Sequence, residues 1–180
     1  GCFRLTDGLS WADGAMVEPL AVAVHAMRQG LLSGGETVAV IGAGTIGLTA
    51  VAAARAMGAG TVLVSARHDH QASLARKLGA DEAVPSDGST LEEAVESATA
   101  GRGADLTIET IGGYSDASVR QAVGVTRRQG RIVILGNVHT SVNLDWMTLQ
   151  GREQSIIMAV CYGVIEGRHD YEIAVGLMSS

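Results

Sequence analysis

A chain of 180 residues with 47% hydrophobic side chains is long enough to bury the core of one α/β domain. Its 13 basic and 19 acidic side chains leave a net charge of −6 and no basic stripe, which argues against a nucleic-acid partner. No apolar run reaches the roughly 18 residues of a membrane span, no signal peptide is visible, and Cys2 and Cys161 make neither a metal nor a disulfide framework; a reduced, cytoplasmic setting is expected.

In chain order, the first helix signal is Ser10-Trp11-Ala12-Asp13, a capping box with Asp in place of the usual Glu. A second helix is expected from about Pro19 to Arg28, with proline in its first turn and Gly30 ending it. After the turn Ser33-Gly34-Gly35-Glu36, strands at 37–41, 61–65, 82–84, 105–110, 131–135 and 155–160 alternate with helices at 45–57, 69–78, 90–100, 115–125 and 168–178. That alternation predicts right-handed βαβ units and a Rossmann-type α/β fold, a doubly wound six-stranded parallel sheet flanked by helices in the order 3-2-1-4-5-6. With aromatics at only 3%, its core has to be built from Ala, Val, Leu and Ile. Residues 136–154 read as one long irregular connection after a strand end, where ligands bind in this architecture. The expected division is a helical interdomain segment over 1–35 and a dinucleotide-binding domain over 36–180.

The strand Thr37–Ile41 runs into Gly42-Ala43-Gly44-Thr45-Ile46-Gly47, a G-x-G-x-x-G turn opening a helix. Gly42 permits the tight turn, Gly44 lets backbone approach a pyrophosphate, and Gly47 lets the helix pack closely on the sheet. The helix starting near Thr45 aims its free N–H groups at the phosphates. The next strand closes on Ser65-Ala66-Arg67, where an acid would hold the ribose hydroxyls of NAD. Ala66 removes the repulsion of a 2′-phosphate, Arg67 offers it a planar charged fork, Ser65 could add a hydroxyl, and His68 and His70 extend the positive tendency when protonated. The expected cofactor is NADP rather than NAD. Glu18, before Pro19, is not among the preferred capping residues, so local structure does not account for it.

These segments carry a family resemblance. Arg4-Leu5-Thr6-Asp7-Gly8-Leu9-Ser10, the run from Val17-Glu18-Pro19 to His25-Ala26, the Gly42–Gly47 turn, Leu78-Gly79-Ala80-Asp81, Ala104-Asp105-Leu106-Thr107-Ile108-Glu109 and the run from Gly130 to Gly136 resemble the cofactor domain of medium-chain dehydrogenases/reductases. Within that group the chain looks like the zinc-dependent polyol (sorbitol-type) and threonine dehydrogenases. The resemblance implies that Glu18 lies at a catalytic zinc, as a ligand or through water. It also implies cofactor contacts from Ile46, from Thr110 and Ile111 after the fourth strand, and from Gly136, Asn137 and Val138 after the fifth. The remaining zinc ligands and most of the substrate pocket would belong to a catalytic domain outside this chain, so the chain alone is expected to bind dinucleotide with little turnover. The implied activity is hydride transfer between NADP(H) and a small secondary alcohol or ketone, with zinc as Lewis acid. A homo-oligomer, dimer or tetramer, is implied as well, with Ile156 to Val160 as the strand paired between subunits. Polyol dehydrogenases of this type carry Arg-Tyr after the sixth strand; here the pair is Cys161-Tyr162, a departure from polyol specificity, and Cys161 is expected to be a partly buried thiol. Two alternatives share the phosphate cradle: a zinc-free quinone or enoyl reductase, and a non-catalytic dinucleotide-binding protein.

Overall fold

The computed structural model describes residues 2–87 and 89–179. Strands β1 (Thr37–Ile41), β2 (Thr61–Ala66), β3 (Glu82–Pro85), β4 (Ala104–Glu109), β5 (Thr126–Ile134) and β6 (Ser155–Met158) form one sheet in the order β3-β2-β1-β4-β5-β6, every neighbouring pair parallel. This is the Rossmann-type order expected from the sequence. Every residue of β1 and of β4 is buried, as strands covered on both faces must be. Alternation sends Val38 and Val40 to one side of the sheet and Ala39 and Ile41 to the other.

The first side is covered by α1 (Trp11–Gln29), α2 (Thr45–Ala56), α3 (Asp69–Lys77) and α7 (Asp170–Met178), whose packing residues are mostly Ala and Val. The second is covered by α4 (Thr90–Ala98) and α5 (Ala117–Val125), through Leu91, Val95, Val119 and Val123. The small side chains of α1 and α2 let two helices and the sheet approach closely, which brings the α1 backbone beside the first turns of α2. No helix among the described residues is long and apolar enough to cross a membrane.

Five features differ from the sequence expectation. The two N-terminal helices are one, running through Pro19. The capping box at Ser10 starts it: the Ser10 hydroxyl accepts from the Asp13 N–H, and Asp13 accepts from the Ser10 N–H at 2.8 Å. Pro19 cannot donate to Ala15, but Ala15 is exposed and its carbonyl can turn to water, while burial from Leu20 to Met27 holds the helix together. Second, β5 starts at Thr126, five residues before its expected start at 131, because Thr126 pairs with Ala104 ahead of an irregularity in the register. Third, the connection over 136–154 contains α6 (Trp146–Arg152), capped by Asp145, whose side chain accepts from the Met147 and Thr148 N–H groups. Fourth, Arg168 and His169 belong not to the last helix but to a hairpin of β7 (Val164–Ile165) and β8 (Arg168–His169). Glu166 and Gly167, both at positive φ, supply its two-residue loop. Fifth, Cys161, expected to be partly buried, is exposed.

The sheet is locked at the end away from the glycine turn by Asp105. Its side chain, 7% exposed, accepts from the Thr37 N–H at 2.8 Å, Arg127 Nε at 2.6 Å and Arg102 Nη1 at 2.9 Å. Burial pushes the Asp105 carboxyl up, but Arg127, the Thr37 N–H and Arg102 together outweigh it and hold it below the ordinary carboxylate range. A carboxyl lowered by folding stabilises the native state above its unfolded value, near about 3.9, and loses that contribution as pH falls through the folded value. Asp105→Asn is therefore expected to be less stable than wild type at neutral pH, with the gap closing below about pH 4. Urea unfolding of both proteins across that range checks it; a gap that widens on acidification would contradict the assignment.

Candidate functional site

The strand order reverses between β1 and β4, so their C-terminal ends open a crevice, the place where ligands bind in open α/β sheets. Three segments meet there. Gly42 leaves β1 with φ +98°, and a Cβ on it would lie 2.8 Å from Ile111 Cγ1 and 3.0 Å from Thr110 Oγ1. A Cβ on Gly47 would lie 2.0 Å from the Gly42 carbonyl oxygen, so the α2 backbone sits directly on the turn. Gly44 is different: it caps α2, is exposed, and has nothing within 4 Å of a built Cβ. The start of α2 has neither a capping side chain nor an acidic residue in its first turn. Thr45 is exposed and Ile46 half-buried beside it. The free N–H groups of that turn are thus left for an outside acceptor.

The floor of the crevice comes from the loops after β4 and β5. Thr110 Oγ1 donates to the Ile41 carbonyl at 2.8 Å, tying the β4 end to the β1 end. The two loops are zipped to each other: the Gly113 N–H donates to Asn137 O at 2.7 Å, and the His139 N–H returns to Gly113 O at 2.8 Å. Gly113 and Val138 form a parallel bridge there. Gly112 and Gly136 make that approach possible, since a Cβ on Gly136 would lie 2.4 Å from the Gly112 nitrogen. Ile111 (55% exposed) and Asn137 face outward.

Ser65 is buried, and its hydroxyl accepts from the Gly42 N–H at 3.1 Å, bracing the glycine turn from the neighbouring strand. Ala66 is also buried, and Arg67 is the first exposed residue beyond it. Arg67 lines a separate hollow of about 330 Å³ with His68, Asp69 and Arg76. Arg76 Nη2 is held by the Ala83 carbonyl at 2.8 Å, whereas Arg67 is engaged by no partner among the described residues. The His68 and His70 rings stack at 5.4 Å.

Glu18 is exposed on α1. The carbonyl of the next residue, Pro19, lies 3.1 Å from Thr49 Oγ1, which fixes this stretch of α1 against the opening turns of α2. Tyr162 and Tyr171 meet edge to face at 4.6 Å in the same neighbourhood. Burial pushes Tyr171 up to about 12, helped by a hydrogen bond and charge from Tyr162 and by the charge of Glu18. Among the described residues no group of three His, Cys, Asp or Glu could hold a metal ion, so Glu18 offers one carboxylate and not a complete site.

The geometry therefore brings the glycine turn, Thr110, Ile111, Gly136, Asn137 and Val138 to one crevice, with Ser65 beneath it, Ala66 and Arg67 at the next strand end, and Glu18 on the adjoining helix. A larger hollow, about 690 Å³, lies elsewhere, at the N-terminal ends of β4 and β5. Three of its arginines are occupied, Arg102 and Arg127 by Asp105 and Arg152 by the Val123 and Gly124 carbonyls, while Arg128 is exposed. Sequence reasoning missed two groups. Glu109, fully buried at the end of β4, accepts from the Ile111 and Gly112 N–H groups through Oε1, while Oε2 has no partner. An acid at the very end of the strand Ala104–Glu109 was its only signal. Asp170, fully buried, gathers His25, Arg28 and the Gly163 N–H, and nothing local marks it.

The comparisons with known proteins agree with this architecture. The family of zinc-binding dehydrogenases matches residues 45–180. Sorbitol dehydrogenase of Bacillus subtilis (strain 168) is 36% identical over 134 residues, covering 74% of this chain and 37% of its own length. Sorbitol dehydrogenase of Mus musculus is 30% identical over 181 residues, 99% of this chain and 49% of its own. Among solved structures, a chain of Sinorhizobium meliloti 1021 described as a zinc-binding dehydrogenase and bound to NADP aligns with a TM-score of 0.82 at 29% identity, covering 97% of this chain and 51% of that one. The 2R,3R-butanediol dehydrogenase of Bacillus subtilis aligns with a TM-score of 0.83 at 30% identity, covering 98% of this chain and 48% of that one. The chain thus spans about half the length of these relatives, or less. With a six-stranded sheet in dinucleotide-binding order and a family match across most of its length, the chain belongs to the zinc-binding dehydrogenases, as a cofactor-binding domain of the medium-chain, polyol-dehydrogenase type.

Proposed function

We propose that this chain is the NADP(H)-binding domain of a zinc-dependent oxidoreductase that moves a hydride between the cofactor and a small secondary alcohol or ketone. The observation that carries the reading is the start of α2: an uncapped helix N-terminus, free of acidic residues, opening on the switch-point crevice through an unobstructed Gly44. That is a cradle for a pyrophosphate. The Gly112–Gly136 zipper then forms a backbone floor, and Thr110, Ile111, Gly136, Asn137 and Val138 hold the nicotinamide end over it. The bound dinucleotide supplies the hydride chemistry; the chain supplies binding and orientation.

NADP is preferred over NAD because the second strand ends without an acid and presents an unengaged Arg67 to the 2′-phosphate. Glu18 is one ligand of a zinc site completed by residues of a longer protein, a role supported by its place on the helix that flanks α2. β6, at the sheet edge with Met158 exposed, is the strand through which subunits pair. The family match favours the zinc-dependent reading over a zinc-free reductase.

The test is a binding titration with NADPH and NADH side by side at fixed salt, with Arg67→Ala as the control. The expected result is NADPH favoured tenfold or more, about 1.4 kcal/mol, with the preference lost in the variant. Equal binding, or a preference for NADH, would return the chain to the NAD-using group and leave Arg67 a surface charge.

A further inference from the structure

Among the described residues, Glu109 is a buried acid at the crevice that has no part in the reading above. Glu109 is fully buried at the centre of the sheet. Its Oε1 accepts from the Ile111 N–H at 2.8 Å and the Gly112 N–H at 2.9 Å. Its Oε2 is buried with no hydrogen-bond partner. That oxygen sits against the floor itself, since a Cβ on Gly136 would lie 2.6 Å from it. No Lys, Arg or His forms an ion pair with it among the described residues. A loop clamp needs one acceptor oxygen, which an amide or a hydroxyl could supply. A second, orphaned carboxylate oxygen is a costly thing to bury and adds nothing to the clamp.

We propose that Glu109 is a positioning and charge-setting residue, whose carboxylate beneath the 111–112 and 136–138 loops selects the oxidised, cationic nicotinamide over the reduced, neutral one. The inference rests on the cofactor reading above and deepens it. An oxidised nicotinamide ring carries a positive charge that the reduced ring lacks. The Glu109 side chain lies against Gly136 and is clamped to the Ile111 and Gly112 N–H groups, so its charge would act on a ring held over those loops. Glu109 is fully buried, so such an attraction is weakly screened. Glu109 touches neither substrate nor cofactor; it acts through the loops it clamps and through its field, and so shifts the redox balance of the bound cofactor toward the oxidised form.

The experiment is a titration of the whole chain with NADP+ and with NADPH, in wild type and in Glu109→Gln. The glutamine keeps one oxygen for the Ile111 and Gly112 N–H groups and removes the charge. The expected result is that NADP+ binding weakens roughly tenfold relative to NADPH binding. A variant that weakens both forms equally, or neither, overturns the proposal and leaves Glu109 a structural clamp. A wild-type chain that binds neither form overturns the cofactor reading and this proposal together, so the two failures are distinguishable. Should Glu109→Gln fail to fold, infrared difference spectra of the wild-type chain decide: a buried carboxylate band that shifts between the NADP+ and NADPH complexes supports the proposal, and its absence overturns it.

Discussion

Replacing Gly47 with alanine is expected to destabilise the chain by about 1–3 kcal/mol and to abolish measurable dinucleotide binding. The new Cβ would lie 2.0 Å from the Gly42 carbonyl oxygen and 2.8 Å from its carbon. Neither atom can swing aside, because both are backbone of the turn itself. The turn cannot shift as a unit either, since the Gly42 N–H is held by Ser65 and the Ile41 carbonyl by Thr110. Alanine's better helix propensity returns at most about 1 kcal/mol, less than the clash costs. Gly44→Ala separates stability from binding. Gly44 has φ −72° and open space where the methyl would go, so this variant is expected to unfold like wild type in urea. Its methyl would stand where the pyrophosphate must approach, so NADPH binding is expected to fall at least tenfold, about 1.4 kcal/mol. Urea denaturation and NADPH titration of the two variants check both statements. A Gly47→Ala protein with wild-type stability would mean that α2 can rise off the turn, and the close packing assigned to Gly47 would be wrong.

The glycine turn was legible because each of its constraints is local: an apolar strand, a left-handed residue and a helix start within eleven residues from Thr37 to Gly47. The strand order was legible for a related reason. Strands covered on both faces read as unbroken apolar runs, and helices between them leave few topologies. What escaped depends on the tertiary environment. Pro19 reads as a helix start, but burial of Leu20–Met27 on a helix packed against α2 and α7 carries the helix through it. Thr126–Gly130 is polar and reads as loop, yet its first residue pairs with Ala104. α6 is short, with Leu149 its only buried residue, so its period is faint and only the Asp145 cap marks it. The site divides the same way. Arg67 follows from its spacing after Gly47, whereas the orphaned oxygen of Glu109 exists only because Gly136 approaches it across the β4–β5 pair.

Asp170→Ala is expected to cost about 3–5 kcal/mol, a large share of the stability of a single domain. The carboxylate is fully buried and accepts from Arg28 Nη1 at 2.6 Å, His25 Nδ1 at 2.7 Å and the Gly163 N–H at 2.7 Å. Arg28 also reaches the carbonyls of Arg168 and Ile165, so a single guanidinium joins α1 to both strands of the β7–β8 hairpin. Removing the acid leaves that guanidinium, 13% exposed, without its counter-charge, and this penalty exceeds the value of any one hydrogen bond lost. Asp170→Asn is expected to cost less, because its amide oxygen still accepts and its shape still fills the site. In a double-mutant cycle, Arg28→Met should relieve part of the Asp170→Ala cost by removing the stranded charge. Thermal unfolding is the measure, with a drop for Asp170→Ala of roughly 10 °C. NADPH affinity of the folded variant is expected to stay within about twofold of wild type, since no bonded partner of Asp170 lies in the glycine turn or in the loops after β4 and β5. A large loss of affinity at unchanged stability would show instead that the hairpin, and Tyr171 beside Asp170, act on the crevice through α1.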